Sequence, residues 1–365
     1  MIRLVQPEIG EEEIRAVGEV LRSGYLVQGS HVREFENQIA EYVGTEYAVA
    51  VSSGTAALHL AILAIGIGPG DEVIIPDFTF PATANVVKLA GGIPILVDID
   101  LRTFNINTDL IQRAITKNTK AIMPVHLFGH PAEMATIYKI AQDNNLFVIE
   151  DAACALGSLY NGKKCGGIGD AGCLSFHPRK AITTGEGGMV LTNDQNIAST
   201  IRQLRNHGME VKSGKNIFQM AGFNYRMTDF QAILGAIQMS KIENIIQQRQ
   251  KLAGQYSNLL SGIENILTPS INGNVRHIWQ SYVVLVKEGL DRDQIIVKLK
   301  NNGVETTIGT YSLHIQPAFS PQNYTFPISA MSYERSICLP LHTHMGKTDI
   351  EVVVDKLIDA IKDQL

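Results

Sequence analysis

The stretch Gly172-Cys173-Leu174-Ser175-Phe176-His177-Pro178-Arg179-Lys180-Ala181-Ile182-Thr183-Thr184-Gly185-Glu186-Gly187-Gly188 sets a lysine just past a short apolar run. The run from Gly172 to Phe176 reads as a buried strand, which puts Lys180 at a strand end, where a scaffold presents chemistry. Desolvation there disfavours the ammonium form, lowers the pKa and leaves a nucleophilic amine able to form a Schiff base. The commoner use of such a lysine is a solvated charge closing a strand. The lysine therefore needs partners elsewhere in the chain.

One partner lies upstream, where the apolar run Leu146 to Ile149 ends in Glu150-Asp151-Ala152-Ala153-Cys154-Ala155-Leu156-Gly157. Asp151 is an acid at the carboxyl end of a strand, and in open α/β sheets ligands bind at that edge. A carboxylate there can keep the ring nitrogen of pyridoxal phosphate (PLP) protonated, which makes the cofactor an electron sink. From residue type alone, Asp151 fits equally well as the N-cap of a following helix. A third piece suits a phosphate: the strand Tyr47 to Val51 breaks into Ser52-Ser53-Gly54-Thr55 before an apolar helix from Ala56 to Ile65. Backbone N–H groups and a hydroxyl at a helix N-terminus make an anion site, although the same residues also serve as an ordinary cap. Neither a Walker A sequence nor a Gly-x-Gly-x-x-Gly pattern occupies this turn, which weighs against nucleoside triphosphate and dinucleotide binding.

These three sites, in this order, resemble the PLP-dependent nucleotide-sugar aminotransferases of the DegT/StrS family, which share the aspartate-aminotransferase (type I) PLP fold. The resemblance is carried by Ser23–Gly29, Ser53–Leu58, Phe78–Asn85, Pro124–Gly129, Glu150–Ala153, Ser175–Gly188, Gly222–Asp229 and Leu339–His342, which span nearly the whole chain. It implies that Lys180 bonds the cofactor covalently and that Asp151 pairs with the pyridinium nitrogen. Gly54, Thr55 and Ser175 match phosphate contacts, and Phe80 matches an aromatic ring stacked on the cofactor. Asn224 matches a residue that reaches the phosphate of the other subunit, which implies a homodimer with shared active sites. Cys154 departs from the pattern, since the family commonly has glutamine there, a residue that contacts the cofactor. Cysteine is shorter and a poor hydrogen-bond donor.

The resemblance further implies the activity: conversion of a nucleotide-linked keto sugar, a 4-keto-6-deoxy hexose, to an amino sugar, with glutamate as amino donor. The product would serve cell-surface polysaccharide or secondary-metabolite biosynthesis. In related sugar dehydratases a histidine replaces the lysine, so Lys180 favours transamination over a dehydratase or lyase. A non-catalytic regulator on the PLP fold is the other alternative, and it need not keep Lys180, Asp151 and the phosphate turn together.

Composition agrees with an enzyme of this kind. The 365 residues are 45% hydrophobic, enough for one large and one smaller domain. The 31 basic and 36 acidic residues, net −5, form no long run of one sign, so no nucleic-acid footprint is expected. The four cysteines make no Cys-x-x-Cys pair and read as reduced thiols of a cytoplasmic protein. The N-terminus Met1–Pro7 lacks the apolar stretch expected of a signal peptide, and no segment reaches the roughly 18 uninterrupted apolar residues of a membrane span.

Apolar runs at Val73–Pro76, Ile93–Val97, Ala121–Val125 and Leu146–Ile149, each followed by a helical pattern, predict an α/β fold. Its mostly parallel central sheet is covered by helices on both faces. Gly188–Thr192 reads as a further strand beside the lysine strand. One long helix is expected from Thr228 to about Leu260, with Gly262 as its stop. Beyond it, a strand at Ser281–Val286, a helix at Arg292–Asn301 and a closing helix from a Thr348/Glu351 capping box read as a small α+β domain. The expected division is 1–245 for the large PLP-binding domain and 246–365 for the small one. Gln280, Tyr311 and His314 are the candidate sugar contacts by resemblance. His342 and His344 lack a carboxylate motif beside them, and no metal is expected.

Overall fold

The apolar runs become strands because each can be buried on both sides. A computed structural model of the chain describes residues 1–271, 273–319 and 325–365. Its main sheet has seven strands: β1 Tyr47–Val51, β2 Glu72–Pro76, β3 Ile93–Val97, β4 Thr119–Ile122, β5 Phe147–Asp151, β6 Ala171–Ser175 and β7 Gly188–Thr192. Their order is β1-β7-β6-β5-β4-β2-β3. All neighbours are parallel except on the two flanks of β7, which runs against both β1 and β6.

Alternate residues of each strand serve opposite faces. Val49 and Val51 pack with the helices Gly54–Ala64, Ala82–Leu89 and Gln195–Leu204. Ala48 and Ala50 pack with Ser30–Val43 and Asp229–Met239 on the other side. Further along the sheet, Ile74, Ile122 and Val148 bury the helices Thr108–Ala114 and Met134–Asn144. Two-sided burial explains why the strands show no polar alternation.

The structure corrects several expected elements. The fourth strand stops at Ile122 because Pro124 has no N–H to continue the ladder; Val125 keeps only an isolated bridge to Asp151. No helix follows β5. The chain turns through Ala152–Ser158, with Gly157 at φ +95°, into a short hairpin of Leu159–Tyr160 and Lys163–Lys164. Asp151 is therefore not a helix cap. The long helix divides into Asp229–Met239 and Ile242–Leu260. At the break the Ser240 hydroxyl donates to Ile237 O at 2.7 Å, competing for a helical carbonyl, and Lys241 pairs with Glu13 at 2.5 Å.

The helix Ile242–Leu260 belongs to two cores. Ile242, Ile245 and Ile246 join the cluster beneath the main sheet, whereas Leu252, Ala253, Tyr256 and Leu260 join a second cluster. That second core lies between the antiparallel strands Ile266–Leu267, Tyr282–Val286 and Ser336–Leu339 and the helices Arg292–Asn301 and Lys347–Lys362. The closing helix is capped differently from the expected Thr348/Glu351 box: Gly346 is the N-cap, and its N–H donates to Asp349 at 2.8 Å. The first residues of the chain pack here as well, since Ile2 bridges Val304 and Leu4 O accepts the Leu341 amide. Among the described residues, no helix is long and apolar enough to cross a membrane.

Candidate active site

Val51, Gly188 and Ser175 stand side by side where β1, β7 and β6 meet. A Cβ on Gly188 would lie 2.3 Å from Ser53 O and 2.7 Å from Gly54 N, and one on Gly54 would lie 2.7 Å from Ser175 Cβ. Neither contact tolerates a side chain, so the Ser52–Thr55 turn rests directly on the ends of β6 and β7. Ser53 Oγ accepts the Ala56 amide at 3.0 Å and starts the helix Gly54–Ala64, whose first turn carries no acidic residue. Thr55 is exposed and Ser175 half-buried. The three expected phosphate contacts thus converge at a helix N-terminus whose positive end has no resident anion.

Lys180 lies beside them, in the turn 176–187 between β6 and β7, and not at the strand end itself. The antiparallel β7 is what forces that turn back towards the β1 end. Lys180 N donates to His177 O at 2.8 Å and Thr184 N to Phe176 O at 2.9 Å, so the turn is internally bonded. The Lys180 amine is half-buried and 3.1 Å from Cys154 Sγ. Cys154, at the position that departs from the family pattern, therefore faces the same space.

Asp151 is buried at the end of β5. Its Oδ2 accepts the Thr83 hydroxyl at 2.9 Å and its Oδ1 the Ala153 amide at 3.2 Å. Burial pushes its pKa up, while Thr83, the Ala153 amide and the charge of Lys180 pull it down. The preceding Glu150 projects to the other face of the strand. It is buried too, yet fully satisfied: Oε2 accepts His126 Nε2 at 2.9 Å and Gly166 N at 2.8 Å, and Oε1 accepts Ile168 N and Gly169 N, each at 2.7 Å. Of the two adjacent acids, only Asp151 keeps capacity for a cationic partner. A pyridinium N–H is such a partner, so this donor and acceptor set fits PLP.

The remaining expected residues lie on other segments of the chain. Phe80 is 61% exposed, so it is not a core phenylalanine, and its ring lies 6.3 Å from that of Tyr311. Tyr311 reaches this place because Tyr311–Ser312 pairs antiparallel with Phe78–Thr79. His314 is tied to Asp77, whose Oδ1 accepts His314 N and whose Oδ2 meets His314 Nδ1, both at 2.7 Å. An Asp77 carboxylate only accepts, so Nδ1 is the donor of this bond. Gln280 is buried, and its side-chain amide donates to the carbonyl of Arg179. Asn224 is exposed and is not the cap of the next helix, a role held by Thr228 with Gln231. Its neighbour Tyr225 accepts the Ser52 amide at 2.8 Å, which lays this segment against the Ser52–Thr55 turn of its own chain.

Asp77 and Thr83 are site residues that the sequence reading passed over. The signal for Asp77 was the same one that marked Asp151, an acid directly after an apolar strand. Thr83 is a hydroxyl on the first turn of a helix and carries no such mark.

Comparison with known proteins agrees with this geometry. Residues 7–358 match the family described as the DegT/DnrJ/EryC1/StrS aminotransferase family. The chain belongs to that family. A GDP-perosamine synthase of Caulobacter vibrioides is 41% identical over 333 residues, 90% of either chain. The spore coat polysaccharide biosynthesis protein SpsC of Bacillus subtilis is 38% identical and covers 98% of this chain and 96% of its own. Among solved structures, a putative sugar aminotransferase, Spr1654 from Streptococcus pneumoniae in its PMP form, superposes with a TM-score of 0.95 at 27% identity, over all of both chains. The expected type I PLP fold, the aminotransferase activity and PLP as cofactor stand with these findings.

The burial of Asp151 has a consequence for stability. Its folded pKa lies above the unfolded value, so the cofactor-free fold loses stability as pH rises from the unfolded pKa to the folded one. Asp151→Asn removes that charge. The cofactor-free variant is expected to melt above the native chain at pH 7 to 8, with the gap closing towards pH 4, while transamination is lost. Melting curves across pH check this, and a variant that melts lower at every pH would contradict it.

Proposed function

We propose that this chain uses PLP to convert a nucleotide-linked keto sugar, a 4-keto-6-deoxy hexose, into an amino sugar, with glutamate as donor. The observation that carries the reading is the convergence of Lys180, Asp151 and the Ser53–Thr55 turn at one edge of the sheet. PLP, when bound, supplies the electron sink that lets a bond at the donor's α-carbon break. Gly54, Thr55 and Ser175 hold its phosphate at the helix N-terminus. Asp151 keeps a proton on the ring nitrogen, and Phe80 covers the ring. Lys180 Nζ takes the proton from the donor's α-carbon and returns one to the product side. Tyr311 and His314 line the mouth where sugar hydroxyls would be met, with Asp77 fixing the imidazole. The relative named GDP-perosamine synthase supports a nucleotide-linked substrate. The name of SpsC supports a place in polysaccharide biosynthesis.

The division into 1–245 and 246–365 is supported by the two cores that share the helix Ile242–Leu260, while the bridge of Ile2 to Val304 ties the first residues to the smaller lobe. Four unpaired cysteines suit the reducing cytoplasm. The working unit is a homodimer with shared sites. The side chain of Asn224 is exposed and has no hydrogen-bond partner among the described residues, and Tyr25, Val27 and Phe218 leave large apolar groups uncovered.

Two measurements test this reading. With 15N-glutamate and a panel of nucleotide-linked keto sugars, mass spectrometry should find the label in an amino sugar; loss of water without nitrogen transfer would identify a dehydratase instead. For the dimer, Asn224→Ala and Lys180→Ala chains, each weak or inactive alone, should regain activity after subunit exchange, because one hybrid site recovers both residues. Verified hybrids without recovery would assign Asn224 to its own chain's site.

A further inference from the structure

The peptide unit that joins Arg179 to Lys180 is held at both of its polar ends. Its N–H, on Lys180, donates to His177 O at 2.8 Å within the turn, and its carbonyl, on Arg179, accepts the side-chain amide of Gln280 from the C-terminal part of the chain. A peptide unit is planar, so fixing both ends fixes the plane and with it the N–Cα bond from which the lysine side chain departs. Nothing else from the smaller lobe bonds this peptide among the described residues.

Gln280 is itself braced to an extent that an ordinary connecting loop does not need. Trp279, just before it, has φ +55°, a left-handed conformation that strains a bulky residue and persists only where its surroundings over-determine it. Here they do. Trp279 N donates to His277 Nδ1 at 2.9 Å, and the two rings stack at 4.0 Å, 10° from parallel. Burial holds His277 well below the usual imidazole range, which keeps that nitrogen an acceptor. Arg249 is buried without a carboxylate partner among the described residues; its Nη1 donates to Trp279 O at 3.4 Å and Gln280 O at 3.1 Å. On the opposite side Gly129 lies so close that a Cβ would sit 3.0 Å from Gln280 N and 3.1 Å from Cys154 O. A strained tryptophan, a buried guanidinium and a glycine contact all converge on the backbone of one glutamine.

We propose that Gln280 is a positioning residue for the reaction: its amide, set by Arg249, His277 and the Trp279 turn, orients the Arg179–Lys180 peptide so that Lys180 Nζ reaches the reacting carbon. This rests on Lys180 being the residue that bonds PLP. It also replaces the sugar-contact role that resemblance implies for Gln280, and the two roles have different kinetic consequences. A sugar contact matters only when the keto sugar is present. A residue that aims Lys180 matters in the glutamate half-reaction too, and in the capture of PLP itself.

The test uses Gln280→Glu and Gln280→Met, two near-isosteric changes that remove the N–H donor, so that one variant suffices should the other fail to fold. Cofactor-free protein is mixed with PLP, and the growth of the lysine–cofactor absorbance and its pH midpoint are followed. The glutamate half-reaction is then run with no sugar present. Slower capture, a shifted pH midpoint and a glutamate half-reaction roughly ten- to a hundred-fold slower, at an unchanged melting temperature, are expected. Capture, midpoint and glutamate half-reaction all as in the native chain, with only the KM for the sugar raised, would overturn the proposal. Lys180→Ala serves as control: should it capture PLP as the native chain does, the role of Lys180 falls and this proposal with it.

Discussion

Gly188 has no room for a side chain, and the site depends on that. The ends of β1, β7 and β6 approach so closely that a single Cβ at Gly188 or Gly54 would meet backbone or Ser175 inside 2.8 Å. Because β7 runs antiparallel between two parallel strands, the chain must leave β6, turn through Lys180 and re-enter the sheet beside β1. The amine is thereby returned to the helix N-terminus that follows β1. A larger residue at either glycine would move the Ser52–Thr55 turn away from the lysine turn.

The second constraint is electrostatic and concerns two acids adjacent in sequence. Glu150 and Asp151 leave β5 on opposite faces and meet opposite surroundings. Glu150 accepts from three backbone amides and His126, which leaves it no need of a further partner. Asp151 has one hydroxyl and one amide, and burial raises its pKa. A buried carboxylate so incompletely served destabilises the empty fold and favours whatever cation enters, the usual trade between stability and activity. The thiol of Cys154 against the lysine amine belongs to the same small space and gives this chain a softer, less strongly donating wall than glutamine would.

Much of this was legible in the sequence, for identifiable reasons. Buried strands announce themselves as unbroken apolar runs, so six of the seven main-sheet strands could be placed to within two or three residues, and the seventh, Gly188–Thr192, was recognised beside the lysine strand. Lys180 and Asp151 stand out as candidates because each follows such a run. The break at Ser240 was hidden because both halves of the expected helix share one periodicity, and the contact of Lys241 with Glu13 joins residues far apart in the chain. The pairing of His314 with Asp77 and the bond from Gln280 to Arg179 link residues far apart in the chain, which no local pattern encodes. The left-handed Phe128 and Trp279 carry bulky side chains that give no hint of that conformation.

The central claim is that the turn between β6 and β7 delivers the one amine that bonds the cofactor. Reduction of the PLP-loaded protein with borohydride, followed by digestion and mass spectrometry of the peptides, tests it most directly. The adduct should be found on Lys180, in the peptide that also contains Thr183 and Glu186 when cleavage leaves the modified lysine uncut. An adduct on any other lysine would contradict the assignment.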